Sequence, residues 1–203
     1  MGRVITAATM SLDGFIAYND HTVGPLFDWY DAGDAEIVNA GETPSFTMDA
    51  ASADYWRQLV ASIGALVVGR RLFDVTDGWK GVHPFGVPVV VVTHEPPSDW
   101  SYPGSEDFHF TADGVGAAVA LAGDLAGDRD VCVAAGVIAR QALEAGLLDE
   151  VAIDLVPVVL GSGRPYFGEF GDGATRLLGD PTVVVRGTRA THLRFPVLRH
   201  DRA

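Results

Sequence analysis

The chain has 203 residues (21.5 kDa), 48% of them hydrophobic, which is enough for one buried core and for a single domain over residues 1–203. Fourteen Lys and Arg against 27 Asp and Glu give a formal net charge of −13 and a pI near 4.6, a balance that argues against nucleic acid or an anionic membrane as main partner, since both require clustered cations. The single cysteine, Cys132, excludes an intrachain disulfide and a cysteine-built zinc site, the histidines show no metal-ligand spacing, and neither a signal pattern nor an apolar run of ~18 residues is present, so the expectation is a cytoplasmic, metal-free protein.

In chain order, residues 4–10 form a short β-rich run, and Asp13-Gly14 reads as a turn. Residues 18–51 are rich in Asp, Gly and aromatics and too long for an ordinary connection, so they are expected to shape a substrate site. Tyr55, Leu59 and Ile63 share one face of a predicted helix over residues 54–63, with Ser52 or Ala53 near its start. Strands follow at 65–68 and 87–93, the second apolar throughout, as suits a strand covered on both faces. A helix over 115–125 follows the capping candidate Asp113. Then come a strand at 131–133, a helix over 137–145 stopped by Gly146, a strand at 151–159, a loop at 161–173 with five glycines, and an antiparallel pair at 182–186 and 191–197. The sum is an α/β sheet, mostly parallel, with an antiparallel C-terminal edge.

Three strand ends carry candidate ligand chemistry. In Ala134-Ala135-Gly136 small residues lead into a helix whose first N–H groups would suit a pyrophosphate; small residues there also serve simply to bring strand and helix together. Gly69-Arg70-Arg71 puts two guanidinium groups at a strand terminus, read as a phosphate clamp in preference to a solvated pair. Thr93-His94 ends the next strand, and taken alone His94 is a surface residue.

VITAATMSLDGFIA, ALVVGRRLFD, PVVVVTHE and the segment VCVAAGVIARQALEAGLLDEVAIDLVPVVLGSGRPYF occur in that order, and together they resemble the dihydrofolate reductase-like family over residues 3–195. The resemblance is nearest to the reductase domain of bifunctional riboflavin-biosynthesis enzymes and their stand-alone relatives. It implies the three-layer sandwich of that family, a homodimer, and NADPH-dependent reduction of a small-molecule substrate. By that resemblance, Gly69, Arg70, Arg71, Thr93 and His94 meet the cofactor's phosphates. Ala135, Gly136, Val137 and Ile138 meet its pyrophosphate, with Gly136 rather than an alanine taking the special backbone conformation. Ala8, Ile16 and Ala17 wall the nicotinamide, and Asp13 is the first choice for a catalytic polar group. Asp54, near the start of the helix that bears the pterin-binding carboxylate in folate reductases, is the rival acid. Leu160, Gly161, Gly163 and Arg164 border the substrate, so the segment 11–17 and the 160–164 loop should meet over one ligand. One cysteine leaves no zinc signature for an accompanying deaminase. The readings are then a reductase of a small heterocyclic or carbonyl compound, a true folate or riboflavin-pathway reductase, or a dinucleotide-binding sensor without chemistry.

Overall fold

The computed structural model of the protein describes residues 2–171 and 175–198. In chain order its elements are β1 (Val4–Ser11), β2 (Phe15–Ala17), β3 (Ala35–Ile37), β4 (Phe46–Met48), α1 (Ala50–Ser62), β5 (Ile63–Gly69), α2 (Arg70–Thr76), β6 (Val89–Val92), β7 (Phe108–Thr111), α3 (Gly114–Ala126), β8 (Asp130–Ala134), α4 (Val137–Glu144), β9 (Glu150–Val156), β10 (Arg164–Pro165), β11 (Val183–Arg186) and β12 (Thr191–Pro196). The main sheet runs β11-β12-β9-β1-β8-β5-β6-β7. It is parallel from β9 to β7, and β12 and β11 add an antiparallel edge, as expected from the sequence. Among the described residues no helix is long and apolar enough to cross a membrane.

Alternation along the buried strands sends side chains to both faces. Val67, Val90, Val131 and Val133 pack against Ala118 and Ala122 of α3 and Ala142 and Leu143 of α4. Leu66, Val68, Val89, Val91 and Cys132 face the other way, toward Tyr55 and Leu59 of α1 and Phe73 of α2. Helices therefore cover both faces, which makes the three layers. Burial pushes the Cys132 thiol up to about 12, so it behaves as core rather than as a nucleophile.

Several boundaries differ from the sequence expectation. Helix α1 starts at Ala50 because the Asp49 carboxylate accepts from the N–H groups of Ala51 (3.1 Å) and Ser52 (3.2 Å). Asp54 consequently lies inside the helix and not at its start. Asp113 gives α3 no side-chain cap. Strand β9 stops at Val156, ahead of Pro157, which has no N–H for the ladder. Strand β7 was not expected: His109 breaks its short apolar pattern, and pairing with β6, Val89 opposite Phe108, makes it a strand. Of the glycine-rich loop, residues 172 and 173 lie outside the described residues.

The 18–51 stretch forms a third small core. A 3-10 helix at Gly24–Asp31 and the β3–β4 hairpin bury Leu26, Trp29 and Met48 completely against Trp56 of α1 and Val156 of β9. Tyr30 stacks on Phe46 with ring centroids 4.4 Å apart, and the Trp29 indole N–H donates to the Thr9 hydroxyl at 3.2 Å.

Candidate active site

The C-terminal ends of the parallel strands bring together the β1–β2 turn, the β5–α2 turn, the end of β6, the β8–α4 turn and the loop after β9, the region where open α/β sheets hold ligands. The segment 11–17 and the 160–164 loop meet directly. Both Asp13 carboxylate oxygens accept from backbone N–H groups, Oδ1 from Leu160 at 3.1 Å and Oδ2 from Gly161 at 2.7 Å. The Ser11 hydroxyl donates to Asp13 Oδ1 at 2.6 Å and accepts from the Phe15 N–H at 2.9 Å. Beyond the turn, Arg164 pairs with Ala17 and Pro165 with Phe15 in an antiparallel β2–β10 ribbon. The approach is so close that a Cβ at Gly163 would stand 2.3 Å from the Ala17 carbonyl oxygen, hence the glycine.

These contacts define what Asp13 can do. The Ser11 hydroxyl, with the Gly161 and Leu160 amides, holds its carboxyl below the usual carboxylate range despite some desolvation. An ionised carboxylate only accepts, so Asp13 fixes the loop and is no proton donor at neutral pH. What the contacts show for Asp13, expected as a catalytic polar group, is a positioning role for the 160–161 loop.

The cofactor candidates divide similarly. A Cβ on Gly69 would lie 3.0 Å from Ile138 Cγ1, so the β5–α2 and β8–α4 turns lie side by side. Gly136 takes φ 96° and ψ −148°, a conformation essentially reserved for glycine, whereas Ala135 needs none of that freedom. The space where a Gly136 Cβ would stand is open to 4 Å. The Gly136 N–H itself donates to the Tyr166 carbonyl at 2.6 Å, so it is not available to a pyrophosphate. Val137 and Ile138, at the first helical positions of α4, keep donors without intrahelical partners.

Arg70 and Arg71 do not act as a pair. Arg70 donates to Asp74 Oδ1 at 2.7 Å, to the Glu95 carbonyl at 2.5 Å and to the Thr93 hydroxyl at 3.4 Å. Thr93, itself buried, also closes the 93–95 turn, donating to the Glu95 carbonyl at 2.9 Å. His94 is exposed beyond that turn. Arg71 turns the other way, and its Nε–H donates to His21 Nε2 at 2.9 Å. A cleft of about 530 Å³ opens beside Arg70, but Asp74, Asp77 and Asp99 line it with Trp100 and Tyr102, an unsuitable wall for phosphate.

Of the proposed apolar wall, Ala8 and Ile16 are half-buried with surface to offer a ring, while Ala17 is buried in the β2–β10 ribbon. Asp54 is on the outer face of α1, ion-paired with Arg57 at 3.2 Å and 72% exposed, with no hydrogen bond to any strand-end residue named above. It is therefore not part of the site.

A buried polar chain beneath β1 was not expected from the sequence. His192 Nδ1 lies 2.7 Å from Asp154 Oδ1, and His192 Nε2 lies 3.0 Å from the Ser52 Oγ, which donates to Asp49 Oδ2 at 2.6 Å. Ser52 gives its one proton to Asp49, so the His192 ring is held from both nitrogens, between the Ser52 hydroxyl and the Asp154 carboxyl, stacked 4.3 Å from Tyr55 and edge-on to Trp29. Nothing exposes it to a ligand: His192 and Ser52 are wholly buried. It anchors the N-terminus of α1 to the antiparallel edge of the sheet.

No protein-family model and no curated protein matches the sequence. Solved structures do. A protein named for riboflavin biosynthesis from Shewanella sp. PV-4 has 22% identity and a TM-score of 0.65, over 97% of this chain and 99% of that one. A pyrimidine reductase-like protein from Corynebacterium diphtheriae has 14% identity and a TM-score of 0.63, over 98% and 93%. The diaminohydroxyphosphoribosylaminopyrimidine deaminase/5-amino-6-(5-phosphoribosylamino)uracil reductase from Thermotoga maritima has 14% identity and a TM-score of 0.62, over 97% of this chain and 57% of that one. With the sheet order and the two helical layers already described, these likenesses give the chain the dihydrofolate reductase-like fold of the pyrimidine reductase-like proteins.

Proposed function

We propose that the protein is an NADPH-dependent reductase that transfers a hydride to a small heterocyclic, pterin- or pyrimidine-like, or carbonyl substrate. The observation that carries this reading is the adjacency of the Gly69 and Gly136 turns at the strand ends, with open space at Gly136 and the N–H groups of Val137 and Ile138 beside it at the start of α4. Those residues fit a dinucleotide. The names of the similar structures, two of them reductase or reductase-like, favour the same chemistry.

Bound NADPH would supply the hydride from its nicotinamide. The chain's part is orientation and exclusion of water. Val137 and Ile138 N–H groups would hold the diphosphate, with Arg71 adding charge nearby; Thr93, and Arg70 on its Thr93 side rather than in the acidic cleft, would border the ribose phosphate. Ala8 and Ile16 would give the ring an apolar seat, and Asp13 would keep Leu160 and Gly161 on its open side. Calorimetry with NADPH and NADH, followed by NADPH oxidation against a carbonyl, dihydrofolate and aminopyrimidine panel, tests the proposal. Tighter NADPH binding and turnover of one panel member support it. Equal affinity for both nucleotides overturns the ribose-phosphate assignment, and binding without any turnover moves the protein to the sensing reading. Turnover of the aminopyrimidine alone would assign the riboflavin-pathway reaction.

A further inference from the structure

His21, Arg71 and Arg164 come from three distant parts of the chain and converge on one point. Arg71 Nε donates to His21 Nε2 at 2.9 Å, and Arg164 Nη2 lies 3.2 Å from the same nitrogen. A second Arg164 contact, 3.1 Å to the Asn19 carbonyl, holds the guanidinium against the turn that carries His21. Two cations therefore share a single lone pair. Elsewhere in this acidic chain Arg3, Arg57, Arg70, Arg140 and Arg194 each hold a carboxylate; among the described residues Arg71 and Arg164 hold none. Asp20, the carboxylate in the imidazole's own turn, is directed at Thr22, accepting from its N–H at 3.0 Å and its hydroxyl at 2.7 Å.

The backbone is built to present His21. Its N–H donates to the Tyr18 carbonyl at 3.0 Å, Tyr18 N–H donates to the Thr22 carbonyl at 2.9 Å, and His21 sits at φ 72°, in the left-handed region that non-glycine residues seldom occupy. Such a residue is held there by the surrounding turn. The position is also where a ligand would lie: Arg71 follows the end of β5, Arg164 lies in β10, and β10 pairs with the β2 strand leading into the His21 turn.

We propose that His21, Arg71 and Arg164 form a binding site for a phosphoryl dianion, which draws the 18–22 turn onto α2 and β10 and takes up one proton at His21 as it binds. Two forked guanidinium groups suit phosphate oxygens, and a protonated imidazole adds a third donor that the neutral ring lacks. The proton linkage has a definite sign. Without ligand, desolvation followed by the Arg71 and Arg164 charges lowers the His21 pKa from its usual value, with Asp20 opposing weakly. A dianion between the same groups reverses the electrostatic part and raises it. Affinity therefore increases as the pH falls from above the ligand-bound value toward the lower ligand-free one. The site does not require that the protein reduce anything, and the phosphoryl group could belong to a dinucleotide diphosphate or to a phosphorylated substrate.

Titration calorimetry of the full chain at low ionic strength, with pyrophosphate and with sulfate, tests this; sulfate keeps its charge between pH 5.5 and 8, in the ~6–8 range where an imidazole titrates, so its pH dependence belongs to the protein. Binding should tighten on acidification, with proton uptake visible as a buffer-dependent heat. Arg71→Gln and Arg164→Gln should each weaken pyrophosphate about tenfold to hundredfold. His21→Asn, which tolerates the left-handed backbone, should abolish the sulfate pH dependence. An unchanged thermal midpoint shows that each exposed substitution leaves the fold intact. NADPH, NADH and ribose 5-phosphate separate the sources: loss of both dinucleotides in the Arg variants assigns a diphosphate, and loss of ribose 5-phosphate alone assigns a substrate phosphate. Anion binding without NADPH binding would uphold this site while refuting the cofactor proposal. Failure of pyrophosphate and sulfate to bind, or binding unaffected by all three substitutions, overturns it.

Discussion

Replacing His192 with alanine should be among the most damaging single changes to this protein. The ring is 0% exposed, and its loss leaves the Asp154 carboxylate, 5% exposed, without the donor now 2.7 Å away. Removing one partner of a buried polar pair costs about 3–5 kcal/mol where it leaves a carboxylate neither solvated nor paired. The void beside Tyr55 and Trp29 adds to that. A chain of this size loses roughly 2–4 °C of melting temperature per kcal/mol, so the midpoint should fall by about 6–20 °C. The informative comparison is Asp154→Leu/His192→Leu, which removes both polar partners and refills the space with apolar atoms. It should cost less than His192→Ala alone, since nothing charged is left buried. Urea unfolding followed by circular dichroism, with thermal scans alongside, measures both variants. The reasoning is refuted if His192→Ala loses less than about 1 kcal/mol, the worth of an ordinary hydrogen bond, or if the double variant equals the sum of its single substitutions.

Gly163→Ala should separate β10 from β2, since the new methyl would meet the Ala17 carbonyl oxygen at 2.3 Å; a cost of about 1–3 kcal/mol and faster amide exchange at residues 15–17 are expected, and unchanged exchange would contradict the packing. Asp13 has a lowered pKa, so its hold on Leu160 and Gly161 is fully present above the ordinary carboxylate value of 3.8 and is lost as the pH falls through the lower folded value. Amide signals of those two residues should report the change on acidification, and Asp13→Asn should remove it; persistence in that variant would refute the assignment. The protein should form a homodimer, with the exposed Val184 on the outer strand β11 and the nearby Leu177 and Leu198 among the apolar surface available for burial. Sedimentation showing a monomer at micromolar concentration would reject that expectation.

Much of the sheet was legible in the sequence because a strand covered on both faces must be apolar at every position. Val89–Val92 and Val131–Val133 therefore announce themselves locally, and the β-rich runs at Val183–Arg186 and Thr191–Pro196, joined by a short turn, read as an antiparallel pair. The approach of the Asp13 turn to the Gly161 loop was also legible, since both follow strands of one parallel sheet. Strand β7 was not, because four residues containing a histidine acquire strand geometry only from their neighbour β6.

Composition and periodicity determined that this chain would be an acidic α/β protein with small-residue turns at its strand ends, because each of those signals lies within a few consecutive residues. Only the tertiary structure decided which side chains meet. Arg70 and Arg71 are adjacent in sequence yet take partners on opposite sides, Thr93 and His21. Arg164 reaches His21 across 143 positions, and His192 reaches Ser52 across 140. A carboxylate, an imidazole or a guanidinium has the same identity in any fold, but its charge state and task are set by what lies within hydrogen-bond reach. That neighbourhood is created when the parallel crossovers bring distant segments to one edge of the sheet, which is why Asp13 becomes a loop clamp and Asp54 a solvated ion pair.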